Sequence, residues 1–268
     1  MSSKLFAIIA GAGPGTGRAT ALRFAKVYPV VLLARRPETY EETVAEINAA
    51  GGRAVGVSAD AADPTSLDGA FETIGRELMP GLQLAVAVYN AAGGFGRKPF
   101  LETRVEELDG SLEGSARGFF LFAQKTLPLL LDTVPTSPPH APTLIATGAT
   151  ASVRGSAQFG PFAAGMFARR ALAQSLGREF GPRGVHVAHA VVDGVIDIPR
   201  TKGYVVNGGV EDGKLSAEAI AETYWHLHTQ HRSAFTHELD LRPFVEKVHN
   251  LGMPLVLIIA DDDPFAIS

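Results

Sequence analysis

Six short apolar runs punctuate the chain at roughly thirty-residue intervals, and longer stretches with 3.6-residue periodicity lie between them. The runs are LFAIIA from Leu5, VVLLA from Val30, RAVGVS from Arg53, LAVAVY from Leu84, TLIATGA from Thr143 and VHVAHAVV from Val185. Nearly continuous Val, Ile, Leu and Ala suit strands covered on both faces, which is the pattern of a parallel sheet with crossover helices. A weaker run, AFTHELDL, is a candidate seventh strand. Helices are expected at about Gly15 to Val27, Thr39 to Ala50, Pro64 to Leu78, Val105 to Leu131, Gly160 to Phe180 and Ala217 to His228. DTVPTSPPHAP, Asp132 to Pro142, is too rich in proline for helix and reads as a surface loop. The expected fold is therefore α/β: a doubly wound parallel sheet in a three-layer α-β-α sandwich.

A chain of 268 residues with no internal repeat or linker is consistent with one domain over residues 1–248, followed by an atypical tail, PLVLIIADDDPFAIS, within residues 249–268. The tail reads as a terminal segment packed on the body or on a neighbouring subunit. A net charge of -4, with Lys and Arg dispersed, points away from nucleic acid. No run reaches the length of a membrane span, and the apolar start is broken by glycine too soon for a signal peptide, so a cytoplasmic protein is expected. With 0 cysteines, thiolate metal sites and a cysteine nucleophile are excluded.

AIIAGAGPGTGRATALRFA follows the first strand and opens the first helix. Gly11, Gly13, Gly15, Thr16 and Gly17 form a tight turn that lets a pyrophosphate approach the helix N-terminus, where unpaired N–H groups and the dipole favour an anion. A glycine pattern alone is weak, but strand, turn, helix and next strand fall here in order. At the end of the second strand, Arg35 and Arg36 stand where a binder of the unphosphorylated dinucleotide carries an acid. Paired guanidiniums suit a 2′-phosphate, so NADP(H) is expected in preference to NAD(H).

On these residues the chain resembles the short-chain dehydrogenase/reductase superfamily from the first strand to about Val248. AGAGPGTG is similar to the family's TGxxxGxG, with Ala10 for threonine. SADAADP places Asp60 and Ala61 at the adenine contact, YNAAGG supplies Asn90, Ala91 and Gly93, and VVDGVID, with Gly194 and Ile196, stands for PGxxxT. The resemblance implies a seven-stranded sheet, a small-molecule substrate, and a homodimer or homotetramer built on the helices at 105–131 and 160–180. It also implies an Asn-Ser-Tyr-Lys tetrad, whose positions fall here on Ser115, Ala149, Phe162 and Met166. All four differ from the pattern. Phe162 keeps a ring without a hydroxyl, Met166 is a thioether that cannot bond a ribose, and Ala149 lacks a donor.

Few groups are positioned to take over. Thr147 and Thr150 flank Ala149 and either offer a hydroxyl to the substrate or are satisfied within the fold. Asp193 is either a base or a turn cap, Asp197 a contact to the carboxamide, and Lys202 and Tyr204 lie in the substrate loop, Ile198 to Gly209. Arg169 lies seven residues after Phe162, the tyrosine–lysine spacing of the enoyl-reducing branch. With Arg170 it is expected on an outer or subunit-facing side of its helix. His226, His228 and His231 lack metal-ligand spacing, His186 and His189 lie on opposite strand faces, and Ser152 and Ser156 are expected to have no His–acid partner. No metal site is expected. Three functions stay open: an NADP(H)-dependent reductase of an activated substrate such as an enone or iminium, a non-redox isomerase or cyclase, and a silent NADP(H)-binding subunit or sensor.

Overall fold

The computed structural model describes residues 4–245, so the tail expected at 249–268 lies outside the described residues. Seven parallel strands form the main sheet in the order β3-β2-β1-β4-β5-β6-β9. They are β1 (Leu5–Ala10), β2 (Val30–Ala34), β3 (Ala54–Ser58), β4 (Gln83–Tyr89), β5 (Thr143–Ala149), β6 (His186–Val192) and β9 (Glu238–Leu241). The last is the weaker run anticipated at AFTHELDL. Two short strands, β7 (Ile196–Asp197) and β8 (Leu215–Ser216), pair in parallel and close the base of the loop between them.

The sheet is covered on both faces because the strands β1 to β6 supply apolar residues at both parities, while the edge strand β9 offers Leu239 and Leu241 to one face only. In β1, Leu5, Ala7 and Ile9 enter one core cluster, while Phe6, Ile8 and Ala10 enter the other. Removing a side chain such as Ile9 from water contributes about 1.5–3 kcal/mol. The first cluster is completed by α1 (Thr16–Ala25), α2 (Glu41–Ala49) and α7 (Ala217–Thr229), through Phe24, Ile47 and Tyr224. The second takes Phe119 and Phe122 of α5 (Gly118–Thr133) and Ala173 of α6 (Gly160–Phe180). On this face α3 (Pro64–Thr73) adds Leu67 and Ala70 in a smaller cluster with Ala59. Local signals place the helix starts: Asp63 accepts from the Thr65 N–H ahead of Pro64, and Ser216 accepts from the Ala219 N–H at 3.2 Å.

The helix expected over 105–131 is not continuous. α4 (Val105–Leu112) passes into α5 through a π-helical turn, Glu113–Arg117. Such a turn shifts carbonyls out of the α-helical ladder and recurs at functional sites. Here the Gly114 carbonyl accepts from the Tyr89 hydroxyl at 2.8 Å, and the Ser115 carbonyl accepts from Arg169 Nε at 3.0 Å. Packing therefore holds the bulge, with Gly114 allowing the loop after β4 to touch it: a Cβ there would run into the Gly93 backbone.

Candidate functional site

A groove of about 890 Å³ runs across the carboxyl ends of β1, β2, β3 and β4 and is bordered by Ile196 of β7. Its position matches the rule that open parallel sheets bind ligands outside the strand ends where strand order reverses. One end is lined by Arg35, Arg36, Asp60, Ala61 and Leu67, the other by Phe95, Phe162, Ile196, Ile198 and Arg200. Gly11, Gly13, Gly15, Thr16 and Gly17 form the middle, opposite Asn90, Ala91 and Gly93.

The glycine turn is shaped by close approach. Gly11 has φ +87°, and a Cβ on it would overlap the Ala91 backbone. A Cβ on Gly17 would strike the Gly11 carbonyl, whereas one on Gly13 would meet nothing nearer than 4.0 Å, leaving open space above the backbone. The Asn90 side-chain amide donates to the Gly11 carbonyl at 3.0 Å, joining the end of β4 to the turn. Thr16, in the first turn of α1, is 5 % exposed, and its buried hydroxyl has no partner among the described residues. An unpaired polar atom beside a helix N-terminus, in a cradle without side chains, fits the pyrophosphate of a dinucleotide. Among the described residues neither Arg35 nor Arg36 pairs with a carboxylate, and both stand exposed at the end of β2. Asp60 accepts from the Ala62 N–H at 2.9 Å, which shapes the turn after β3.

Three of the four positions expected for the tetrad, Ala149, Phe162 and Met166, pack together and are apolar, while the fourth, Ser115, lies in the π-turn. Ala149, Ala151, Phe162, Ala163 and Met166 form one small cluster at the start of α6. Phe162 is 9 % exposed and reaches the groove wall, with Phe95 edge-on to it at 5.2 Å between ring centroids. Met166 is buried. Ser115 is fully buried, and its hydroxyl has no partner among the described residues. Gly194, expected at the cofactor, is not among the residues lining the groove; a Cβ there would come within 2.9 Å of Pro243 Cδ.

The hydroxyls expected as substitutes are engaged elsewhere. Thr147 Oγ1 lies 2.7 Å from the Tyr224 hydroxyl. Thr150 donates to Asp193, whose second oxygen pairs with Arg242 at 2.9 Å, so Asp193 is an ion-paired acceptor and not a turn cap. Tyr204 lines a separate cavity of about 480 Å³ together with Asp197 and Lys214. Lys214 pairs with Asp197 at 3.5 Å and donates to the Lys202 carbonyl at 3.1 Å.

Two expectations are corrected. Arg169 does not face outward: it is 1 % exposed and points at the groove floor from below. Its guanidinium donates to the Thr147 carbonyl at 2.7 Å, the Ser115 carbonyl at 3.0 Å, the Gly114 carbonyl at 3.4 Å and the Ala91 carbonyl, and it lies over the Tyr89 ring at 4.8 Å. Burial pulls its pKa down to about 10, and the same burial pushes the Tyr89 phenol up to about 12. Arg170, by contrast, holds Glu238 in a bidentate pair at 2.7 Å.

Ser152 also has a histidine–acid pair close by. His189 Nδ1 bonds Glu238 at 2.9 Å, and a Cβ on Gly148 would collide with His189 Nε2 while standing 3.1 Å from Ser152 Oγ. Ser152 is fully buried and accepts from the Ala149 N–H at 3.1 Å, while His189 Nε2 has no partner among the described residues, so the arrangement lacks both a serine–histidine bond and access to a substrate. Among the described residues no group of three or more His, Cys, Asp or Glu side chains is arranged to hold a metal ion, and no helix is long and apolar enough to cross a membrane.

The model of the short chain dehydrogenase family matches residues 5–205. The chain is 30% identical over 227 residues to the 1-deoxy-11-beta-hydroxypentalenate dehydrogenase of Streptomyces arenae, covering 82% of this chain and 77% of that one. It is 27% identical over 193 residues to the 1,6-dihydroxycyclohexa-2,4-diene-1-carboxylate dehydrogenase of Acinetobacter baylyi, covering 72% of this chain and 70% of that one. Among solved structures, a short-chain dehydrogenase from Rhodopseudomonas palustris superposes with a TM-score of 0.72 at 30% identity, covering 90% of this chain and 99% of that one. One from Burkholderia cenocepacia J2315, in complex with NADP, superposes with a TM-score of 0.77 at 22% identity over 91% and 98% of the two chains. With the sheet order, the glycine turn and these likenesses in agreement, the chain belongs to the short-chain dehydrogenase/reductase family of nicotinamide-dependent oxidoreductases.

Proposed function

We propose that the protein is an NADP(H)-dependent reductase of an activated, hydrophobic substrate, such as a conjugated enone or an iminium. The observation that carries the cofactor is the arginine pair at the end of β2, free of carboxylates and lining the groove beyond the glycine cradle. Gly11, Gly13, Gly15, Thr16 and Gly17 would hold the pyrophosphate, Arg35 and Arg36 the 2′-phosphate, Asp60 and Ala61 the adenine side, and Asn90, Ala91, Gly93 and Ile196 the remainder. The bound cofactor supplies a hydride.

The substrate class follows from what the opposite end of the groove lacks. Phe162 and Met166 offer no proton donor, so a simple ketone would lose general-acid assistance worth about 10²- to 10⁴-fold. An enone accepts hydride at its β-carbon, leaving an enolate whose charge is spread and which water protonates afterwards. An iminium becomes a neutral amine and needs no proton at the reacting carbon. Phe95, 67% exposed, with Phe159 and Phe162 around it, supplies aromatic surface for an apolar, planar substrate. The chain's own residues thus orient the acceptor while contributing no acid, and the open side of the groove leaves water to protonate the enolate.

A silent NADP(H)-binding role is the second reading, favoured by the engagement of Thr147 and Thr150 with Tyr224 and Asp193. Titration of NADPH and NADH, followed by assay with cyclic enones and imines, separates the readings. NADPH is expected to bind in the micromolar range, and Arg35→Ser/Arg36→Ser is expected to weaken it by about tenfold or more with little change for NADH. Bound NADPH that no acceptor consumes favours the silent role. Product formed without change at the nicotinamide absorbance favours an isomerase or cyclase, and failure to bind NADPH removes both cofactor readings.

The protein also assembles with copies of itself in this reading, through α4–α5 and α6. Phe120 and Phe167 stand 46% and 41% exposed on these helices, which is costly for an isolated subunit.

A further inference from the structure

Arg169 is the least explained charge in the molecule. It is fully buried, no carboxylate pairs with it among the described residues, and its four acceptors are backbone carbonyls from three separate segments. Those segments are the loop after β4, the π-turn between α4 and α5, and the end of β5. Two of the residues whose carbonyls it holds, Ala91 and Gly114, also line the groove. Burying a guanidinium without a counter-ion is expensive, and neutral carbonyls compensate its solvation without cancelling its charge. The loop after β4 and the π-turn thus form a floor with a fixed cation beneath it, where Met166 leaves no lysine above.

We propose that Arg169 is the positioning residue of the nicotinamide half of the groove: it ties the three segments into one floor, and its net charge disfavours the oxidised, cationic ring relative to the reduced, neutral one. This rests on the cofactor reading given above. A carbonyl clamp alone needs only donors and would serve both redox states equally. A net positive charge under a low-dielectric floor discriminates between them, because Coulomb energy over several ångströms of protein is worth about a tenfold difference in affinity. The protein therefore holds NADPH more tightly than NADP⁺, which keeps the reduced cofactor loaded and speeds release of the oxidised one, while making hydride donation from the bound cofactor about tenfold less favourable at equilibrium.

The test is a calorimetric titration of wild type, Arg169→Gln, Arg169→Met and Arg169→Lys with NADPH, NADP⁺ and 2′-phospho-ADP-ribose, which lacks the nicotinamide. Wild type is expected to favour NADPH over NADP⁺ by about tenfold. That ratio falls towards one in the neutral variants and persists in Arg169→Lys, while affinity for 2′-phospho-ADP-ribose stays unchanged. Arg169→Gln keeps a donor for the carbonyls and stands in if Arg169→Met does not fold. Equal binding of the two redox states by wild type overturns the proposal, as does an unchanged ratio in a folded neutral variant, which is what a purely structural clamp would give. If wild type binds 2′-phospho-ADP-ribose but shows no redox preference, only the role of Arg169 falls. If it binds none of the three ligands, the cofactor reading falls with it.

Discussion

At the scale of single residues, Met166 and Arg169 face the same way: both are buried on the inward side of α6, one turn apart. A lysine at 166 would place an ammonium in the apolar cluster of Ala149, Ala151, Phe162 and Ala163, one turn from a guanidinium that has no counter-ion among the described residues. Desolvation and like-charge repulsion then act together. Met166→Lys is expected to destabilise the protein by on the order of 3 kcal/mol in urea denaturation. The loss should be smaller in an Arg169→Met background, because the repulsion is removed. Additive effects of the two changes would show that the two positions do not sense each other. Phe162→Tyr is a milder change, since Phe162 reaches the groove wall and a phenol there can meet solvent. Restoring a tyrosine and a lysine together is therefore not a return to the family's site: the cation under the floor has first to be accommodated.

At the scale of elements, α4, α5 and α6 carry the large exposed apolar side chains Val105, Phe120, Leu129 and Phe167. If these faces meet in a homo-oligomer, Phe120→Asp/Phe167→Asp should lower the mass measured by light scattering to that of one chain, with the far-UV spectrum preserved. An unchanged mass would place the interface elsewhere. The central strands were readable from sequence because burial on both faces turns them into nearly unbroken apolar runs, as in VVLLA and LAVAVY, whereas the edge strand β9 left only the weaker run ELDL. The π-turn was not, since it depends on Tyr89 and Arg169, which are distant in sequence and take carbonyls that a regular helix would use itself. Arg169 had a readable signal: it lies seven residues after Phe162, two turns along the same helix face. Reading Arg169 and Arg170 as a charged pair obscured it, although adjacent helical residues point in different directions, and Arg170 alone reaches Glu238.

For the whole molecule, the neutral histidines held in the interior decide how stability responds to mild acid. His228 of α7 is 1 % exposed, its Nε2 lies 2.9 Å from the Tyr28 hydroxyl, and its Nδ1 lies 3.0 Å from Thr143 Oγ1. It thus joins α7 to the segment after α1 and to β5, among Phe24, Trp225 and His140. Burial, followed by its neighbours His140 and His186, pushes its pKa down to about 3. Burial also lowers His186, held between the Leu227 and Thr236 carbonyls, and His189, despite its bond to Glu238. In the unfolded chain each takes a proton near pH 6.5, whereas in the folded chain His228 resists until far lower pH. The unfolded state therefore binds more protons as pH falls through 6.5, and stability declines by about 1.4 kcal/mol per pH unit for each histidine that stays neutral in the fold. Urea unfolding at pH 7, 6 and 5 should show this decline. The His228→Gln variant, which retains an amide for Tyr28 and Thr143, should be less stable at pH 7 but lose stability less steeply, by about one proton's worth of slope between pH 6 and 5. An identical slope would mean that His228 protonates in place and that the contacts joining α7, β5 and the end of α1 adapt to its charge.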